Sequence, residues 1–116
     1  MSDLKISITD VPNKTIKVIS LIGEMDEINL EPFKQQISSI SDDPNVKILL
    51  FDLSKLEFIN SKGIGYFVSV HTHISKFQKF LVLTAANEAV MDVISLVGLT
   101  TIIKYFDTVE EALVNL

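Results

Sequence analysis

The sequence predicts an α/β domain: a mixed, mostly parallel β-sheet of about five strands packed with about four α-helices. Two observations lead there. Short apolar runs rich in β-branched residues alternate with longer segments whose apolar residues recur every three or four positions. Strands that alternate with helices imply crossover connections and parallel pairing. In addition, Val46 to Leu53 (VKILLFDL) is nearly continuous in apolar residues, as expected of a central strand covered on both faces.

Leu4 to Thr9 and Ile16 to Ile22 read as the first two strands, separated by the turn formers Asp10-Val11-Pro12-Asn13. The first of them suits an antiparallel edge. Gly23-Glu24-Met25-Asp26 follows as a polar break. Asn29 stands at an N-cap position with Pro32 in the first turn, and Leu30, Phe33, Ile37 and Ile40 form the apolar stripe of a first helix. Asp42-Asp43-Pro44-Asn45 ends it. After the central strand, Ser54 to Asn60 reads as a loop leading into a second helix, from about Ser61 to Lys76. Phe80 to Thr84 is another buried strand. Asn87 caps a third helix with Ala89, Val90, Val93, Ile94 and Val97 on one face, and Gly98 stops it. Ile102 to Phe106 makes a last strand. Asp107-Thr108-Val109-Glu110 resembles a capping box and opens a terminal helix with Val109, Ala112 and Leu113 inside. No repeat, linker or low-complexity tract interrupts this order, so residues 1–116 are expected to form one domain.

Composition narrows the function. A hydrophobic fraction of 47% supports an extensive core and argues against intrinsic disorder. Net charge is −5 and all 10 basic residues are lysine. Without arginine the chain lacks the planar fork that reads phosphates and guanine edges, and it carries no basic stripe, so nucleic acid is not an expected partner. The chain holds no cysteine, which excludes disulfides, thiolate metal sites and cysteine nucleophiles. The N-terminal residues lack the pattern of a signal peptide, and no apolar stretch approaches a membrane span. The expectation is a cytoplasmic protein with no direct membrane insertion and no cofactor.

The chemistry concentrates around residue 60. Phe58-Ile59 is an apolar pair, and Asn60-Ser61-Lys62-Gly63-Ile64-Gly65 opens the second helix. A serine at a helix start lies where unpaired backbone N–H groups point outward and the dipole is positive, an environment that favours a phosphate on its hydroxyl. Two glycines remove bulk, so another backbone can approach closely. The same spacing equally describes a plain N-cap at Asn60 or Ser61, with Gly63 and Gly65 serving tight helix–sheet packing. Lys62 puts a cation at the positive end of the helix, a local conflict of the kind found at functional sites.

Other residues carry less. His71 and His73 are two apart on one helix and point about 200° from each other, so they cannot share a metal there; His71 is expected to be partly buried and His73 exposed. Glu24, Asp26 and Glu27 cluster without a further ligand pattern, and no metal site is expected. Asp52 raises the alternative of a receiver-like domain phosphorylated on aspartate, but Thr84-Ala85-Ala86 supplies no lysine to serve it. No phosphate-cradling glycine loop or catalytic triad order stands out, so an enzyme is not expected.

The segment Phe51-Asp52-Leu53-Ser54 … Phe58-Ile59-Asn60-Ser61-Lys62-Gly63-Ile64-Gly65 resembles the signature of bacterial STAS-domain anti-sigma-factor antagonists. The likeness extends over nearly the whole chain, including Gly23-Glu24-Met25-Asp26 and Asp107 to Leu113 (DTVEEAL). The resemblance implies a STAS-type fold, usually a monomer when free, and a partner-switching role. Ser61 aligns with the serine phosphorylated by a cognate anti-sigma factor that is also a serine kinase, and a PP2C-type phosphatase resets the switch. It places the partner-binding surface at Phe58, Ile59, Asn60, Lys62, Gly63, Ile64 and Tyr66, framed by the Gly23–Asp26 loop with Glu24 and Asp26. Two positions depart from the family: Asn60 replaces an acidic residue, and Lys62 follows the serine. The alternative is a constitutive STAS binding module, such as a subunit of a lipid-transport ABC complex, without phosphorylation.

Overall fold

The computed structural model describes residues 3–12 and 14–116; Met1, Ser2 and Asn13 of the expected turn lie outside them. The elements are β1 (Leu4–Asp10), β2 (Ile16–Met25), α1 (Leu30–Ser41), β3 (Ile48–Ile59), α2 (Ser61–Ser75), β4 (Phe80–Thr84), α3 (Glu88–Leu96), a 3-10 turn (Leu99–Thr101), β5 (Lys104–Phe106) and α4 (Val109–Asn115). The strands form one sheet in the order β1-β2-β3-β4-β5. β1 is the antiparallel edge, and every later pairing is parallel.

Because each new parallel strand is added on the same side, right-handed crossovers put α1, α2 and α3 together on one face. Alternating strand residues (Ile19, Leu21, Leu49, Phe51, Leu81 and Leu83) pack there against Phe33 and Ile37 of α1, Phe67 and Ile74 of α2, and Val90 and Ile94 of α3. Ile16, Leu50 and Val82 point to the other face, where Ala112 of α4 covers them with Val109 and Leu113 beside it. No helix among the described residues is long and apolar enough to cross a membrane.

Four sequence expectations are corrected. The Gly23–Asp26 break is mostly strand, since β2 continues to Met25. Ser54 to Asn60 is not a loop, since β3 continues to Ile59. The cause is register. Ser20 pairs with Asp52 but Ile22 with Lys55, and Gly23 pairs with Leu56 but Glu24 with Phe58, so β3 carries an extra residue at each shift. Leu53, Leu56 and Ile59 are therefore all buried at a spacing of three, which no strand template predicts. On α3 only Val90 and Ile94 are buried, while Ala89 and Val97 are exposed, so the buried stripe is narrower than expected. The last strand is shortened to Lys104–Phe106, the preceding residues having wound into the 3-10 turn.

One buried charge ties two elements together. Lys79, only 7% exposed, donates from Nζ to the carbonyls of Ser41 at 2.6 Å and Asp43 at 2.9 Å. It thereby satisfies the Ser41 carbonyl at the C-terminus of α1, shares the Asp43 carbonyl with Val46 N, and places a cation at the negative end of the helix dipole. Lys79→Met keeps the apolar stem but strands the Ser41 carbonyl, and should lower the unfolding free energy by about 1–3 kcal/mol. A urea midpoint unmoved by the substitution would show that the ammonium contributes nothing beyond its stem.

Candidate functional site

Past Asp52, which faces Thr84 at the end of β4, only β2 accompanies β3. The pair runs on past β4 as a ribbon, flanked by β1 on the β2 side as far as Gly23 and free on the β3 side, and α2 begins at its tip. Asn87 braces the ribbon's free edge: its Nδ2 donates to the Leu56 carbonyl at 2.7 Å, while its Oδ1 caps α3 by accepting from Val90 N at 2.8 Å.

Asn60 forms the joint between ribbon and helix. Its N–H donates to the Met25 carbonyl at 3.2 Å, continuing the β2–β3 ladder. Its Oδ1 accepts from Lys62 N at 3.1 Å and Gly63 N at 3.2 Å, and its carbonyl accepts from Ile64 N at 3.0 Å. The expectation of outward-pointing, unpaired amides at the start of α2 is thus corrected, since those of residues 62 to 64 are engaged by Asn60. The helix dipole remains, but these three donors are not free.

Ser61 is exposed on the first turn of α2, beside exposed Lys62. Phe58 is 48% exposed on the ribbon, and Ile28, in the β2–α1 connection at the same end of the sheet, is 77% exposed. Asp26 shapes that connection, its Oδ1 accepting from Ile28 N at 2.9 Å and Asn29 N at 3.1 Å. Asn29 precedes α1 without a side-chain cap; its Nδ2 donates instead to the Glu24 carbonyl at 3.1 Å. Ile59, Gly63 and Ile64 are buried, so they support this surface from beneath. Tyr66 is half-buried, its ring edge-on to Phe33 at 5.4 Å, and burial pushes its hydroxyl up to about 12. The phenol therefore stays protonated at any physiological pH.

The glycines divide the two roles the sequence left open. A Cβ on Gly63 would lie 2.8 Å from Ile59 Cγ1 and 3.0 Å from Met25 Cγ, so this glycine serves helix–ribbon packing. A Cβ on Gly65 would meet nothing within 4 Å, which leaves this turn of α2 open to solvent. Two residues beyond the sequence reading join the site, Lys34 of α1 and Ser69 of α2, which line one concavity with Ser61, Lys62, Gly65 and Tyr66. Only the packing of α1 against α2 brings Lys34 there, and no local pattern in the sequence announces it. Asp52 is half-buried within β3 and accepts from Ser54 N at 3.0 Å, and His71 and His73 stand apart from this end of the molecule, half-buried and exposed on α2.

Substitutions should separate these roles. Gly63→Ala is expected to cost about 1–2 kcal/mol through overpacking, whereas Gly65→Ala should stabilise by up to about 1 kcal/mol through helix propensity. Asn60→Ala should cost about 1 kcal/mol as a lost cap. Equal thermal shifts for the two glycine variants would contradict the division.

Comparison with known proteins agrees with this architecture. Residues 7–112 match the STAS domain family. The chain is 30% identical over 108 residues to the anti-sigma-F factor antagonist RsfB of Mycobacterium tuberculosis, covering 93% of this chain and 87% of that protein. The crystal structure of an anti-sigma factor antagonist from Mycobacterium paratuberculosis superposes with a TM-score of 0.86 at 24% identity, over 97% of this chain and 92% of that one. The Bacillus cell fate determinant SpoIIAA in its phosphorylated form superposes with a TM-score of 0.72 at 20% identity, over 96% and 97% of the two chains. These last two show a shared fold, and the family match, spanning the site from Ile28 to Ser69, settles membership: the chain belongs to the STAS domain family.

Proposed function

We propose that the chain is a cytoplasmic anti-sigma factor antagonist that works by partner switching. With Ser61 bare, the domain binds an anti-sigma factor that is also a serine kinase, and the sigma factor is freed. The kinase transfers the γ-phosphoryl group of ATP to Ser61 Oγ; the bond to ADP breaks, the Oγ–P bond forms and the hydroxyl proton leaves. The phosphorylated domain then dissociates, and a PP2C-type phosphatase hydrolyses the ester. The domain itself acts by binding, not by catalysis.

One observation carries this reading: Ser61 is exposed at a backbone position fixed by Asn60, with the apolar side chains of Phe58 and Ile28 exposed at the same end of the sheet. A phosphate adds about −1.5 to −2 charge, which must be desolvated in any interface built on such a rim. The chain already carries −5, so the addition also works against an acidic partner. RsfB, an anti-sigma-F factor antagonist, and SpoIIAA, solved in a phosphorylated form, support carrying the switch to this chain.

The test is a pull-down from the source cell with wild type, Ser61→Ala and Ser61→Asp as baits, read by mass spectrometry. The alanine bait should retain a kinase-like partner that the aspartate bait loses, with phosphate mapped to Ser61 in wild type. Recovery of one partner by all three baits, with Ser61 unmodified, would leave a constitutive binding module instead. Phe58→Ala should weaken capture of that partner about tenfold or more while leaving the melting temperature nearly unchanged.

A further inference from the structure

Ser61 opens onto a concavity of about 480 Å³ that it shares with Lys34, Lys62, Gly65, Tyr66 and Ser69. Gly65 keeps this space clear, since even a Cβ there would meet no atom within 4 Å. The wall opposite comes from α1. Lys34 Nζ lies 5.7 Å from the centre of the Tyr66 ring and 3.1 Å from Glu31 Oε1. Glu31 is highly exposed, with 78% of its side chain in solvent, so its hold on Lys34 is screened and weak.

Apart from Leu30 and Gly65, the lining side chains are hydrogen-bond donors or cations. They present two ammonium groups, the protonated Tyr66 phenol and the Ser69 hydroxyl, and no carboxylate. The backbone amides of residues 62 to 64 are already taken by Asn60, so a phosphate on Ser61 cannot draw its counter-charge from them. Asn60 is itself neutral, so the cap adds no repulsion. The group's position is set by its covalent tether to Oγ, and the lysines need only reach it.

We propose that a phosphate on Ser61 is held in cis by Lys34 of α1 and Lys62 of α2, with Lys34 leaving Glu31 to do so. This rests on Ser61 being the phosphoacceptor. The phosphate then closes the concavity across the α1–α2 seam, and the two lysines that line the contact face in the bare protein are withdrawn into an internal ion pair. The switch removes a recess as well as adding charge.

The experiment uses the full chain with phosphoserine installed at position 61 during translation, so that no kinase is required, and follows the phosphate by 31P NMR against pH. The dianion of ordinary phosphoserine takes up a proton near pH 6. The wild-type domain should titrate lower. Lys34→Ala, Lys34→Gln and Lys62→Ala should each raise that midpoint by about 0.3–1 unit, a twofold to tenfold weaker hold on the dianion. Glu31→Gln should lower it further by freeing Lys34, and Lys104→Ala, on the opposite face of the sheet, should leave it unmoved. A wild-type midpoint equal to that of a phosphoserine peptide, or one indifferent to both Lys34 variants, would overturn the proposal. Failure of the partner-switch reading would appear in the pull-down; failure of the internal pair appears here, in protein phosphorylated by design.

Discussion

The β2–β3 ribbon runs past the end of β4, bordered by β1 on the β2 side and free on the β3 side, and two asparagines hold it in place. Asn87 donates to the Leu56 carbonyl on its free edge, and Asn60 donates to the Met25 carbonyl at its tip. Each also caps a helix, so each fixes the direction in which α2 or α3 leaves the ribbon. The buried residues Leu53, Leu56 and Ile59 seat the ribbon on the helices, and Gly63 lets α2 approach it. Ser61 inherits its position from this arrangement. A site built this way is as rigid as the regular elements that carry it, although the serine itself is exposed.

Much of this was legible in the sequence. The α1 stripe of Leu30, Phe33, Ile37 and Ile40 is buried in full, β4 spans Phe80–Thr84 as expected, and Asn60 and Asn87 are caps with side-chain bonds, while the cap of α4 falls on Thr108, one residue after the start of the expected box. These features are local, and periodicity and capping chemistry report local structure well. The ribbon was not legible, because two register shifts turned a period of two into a period of three and made strand residues look like a polar loop. Lys34 and Lys79 were missed for a different reason. Their partners lie on other elements, Tyr66 on α2 and the Ser41 and Asp43 carbonyls, and a single lysine in a sequence gives no sign of what it will meet.

The sheet is also asymmetric in what it asks of the chain. One face receives three helices and most of the core, while the other is covered by α4 and a few side chains around Leu50 and Val82. The apolar framework on the first face accommodates wide sequence change, as the superposition at 24% identity with a TM-score of 0.86 illustrates.

The α1–α2 pair is fastened at both ends. Phe33 meets Tyr66 near the start of the two helices, and Lys79, following α2, clasps the last turn of α1. These two contacts hold α1 against α2, so the backbone of the face that carries Ser61 is set by the fold itself, as in surfaces that move little on binding. Encounter is then limited by diffusion and orientation rather than by rearrangement, and the lifetime of a complex becomes the adjustable quantity. On the proposed reading, a domain of this build keeps time through dissociation: a phosphate alters how long a partner stays, while the backbone frame beneath it stays the same.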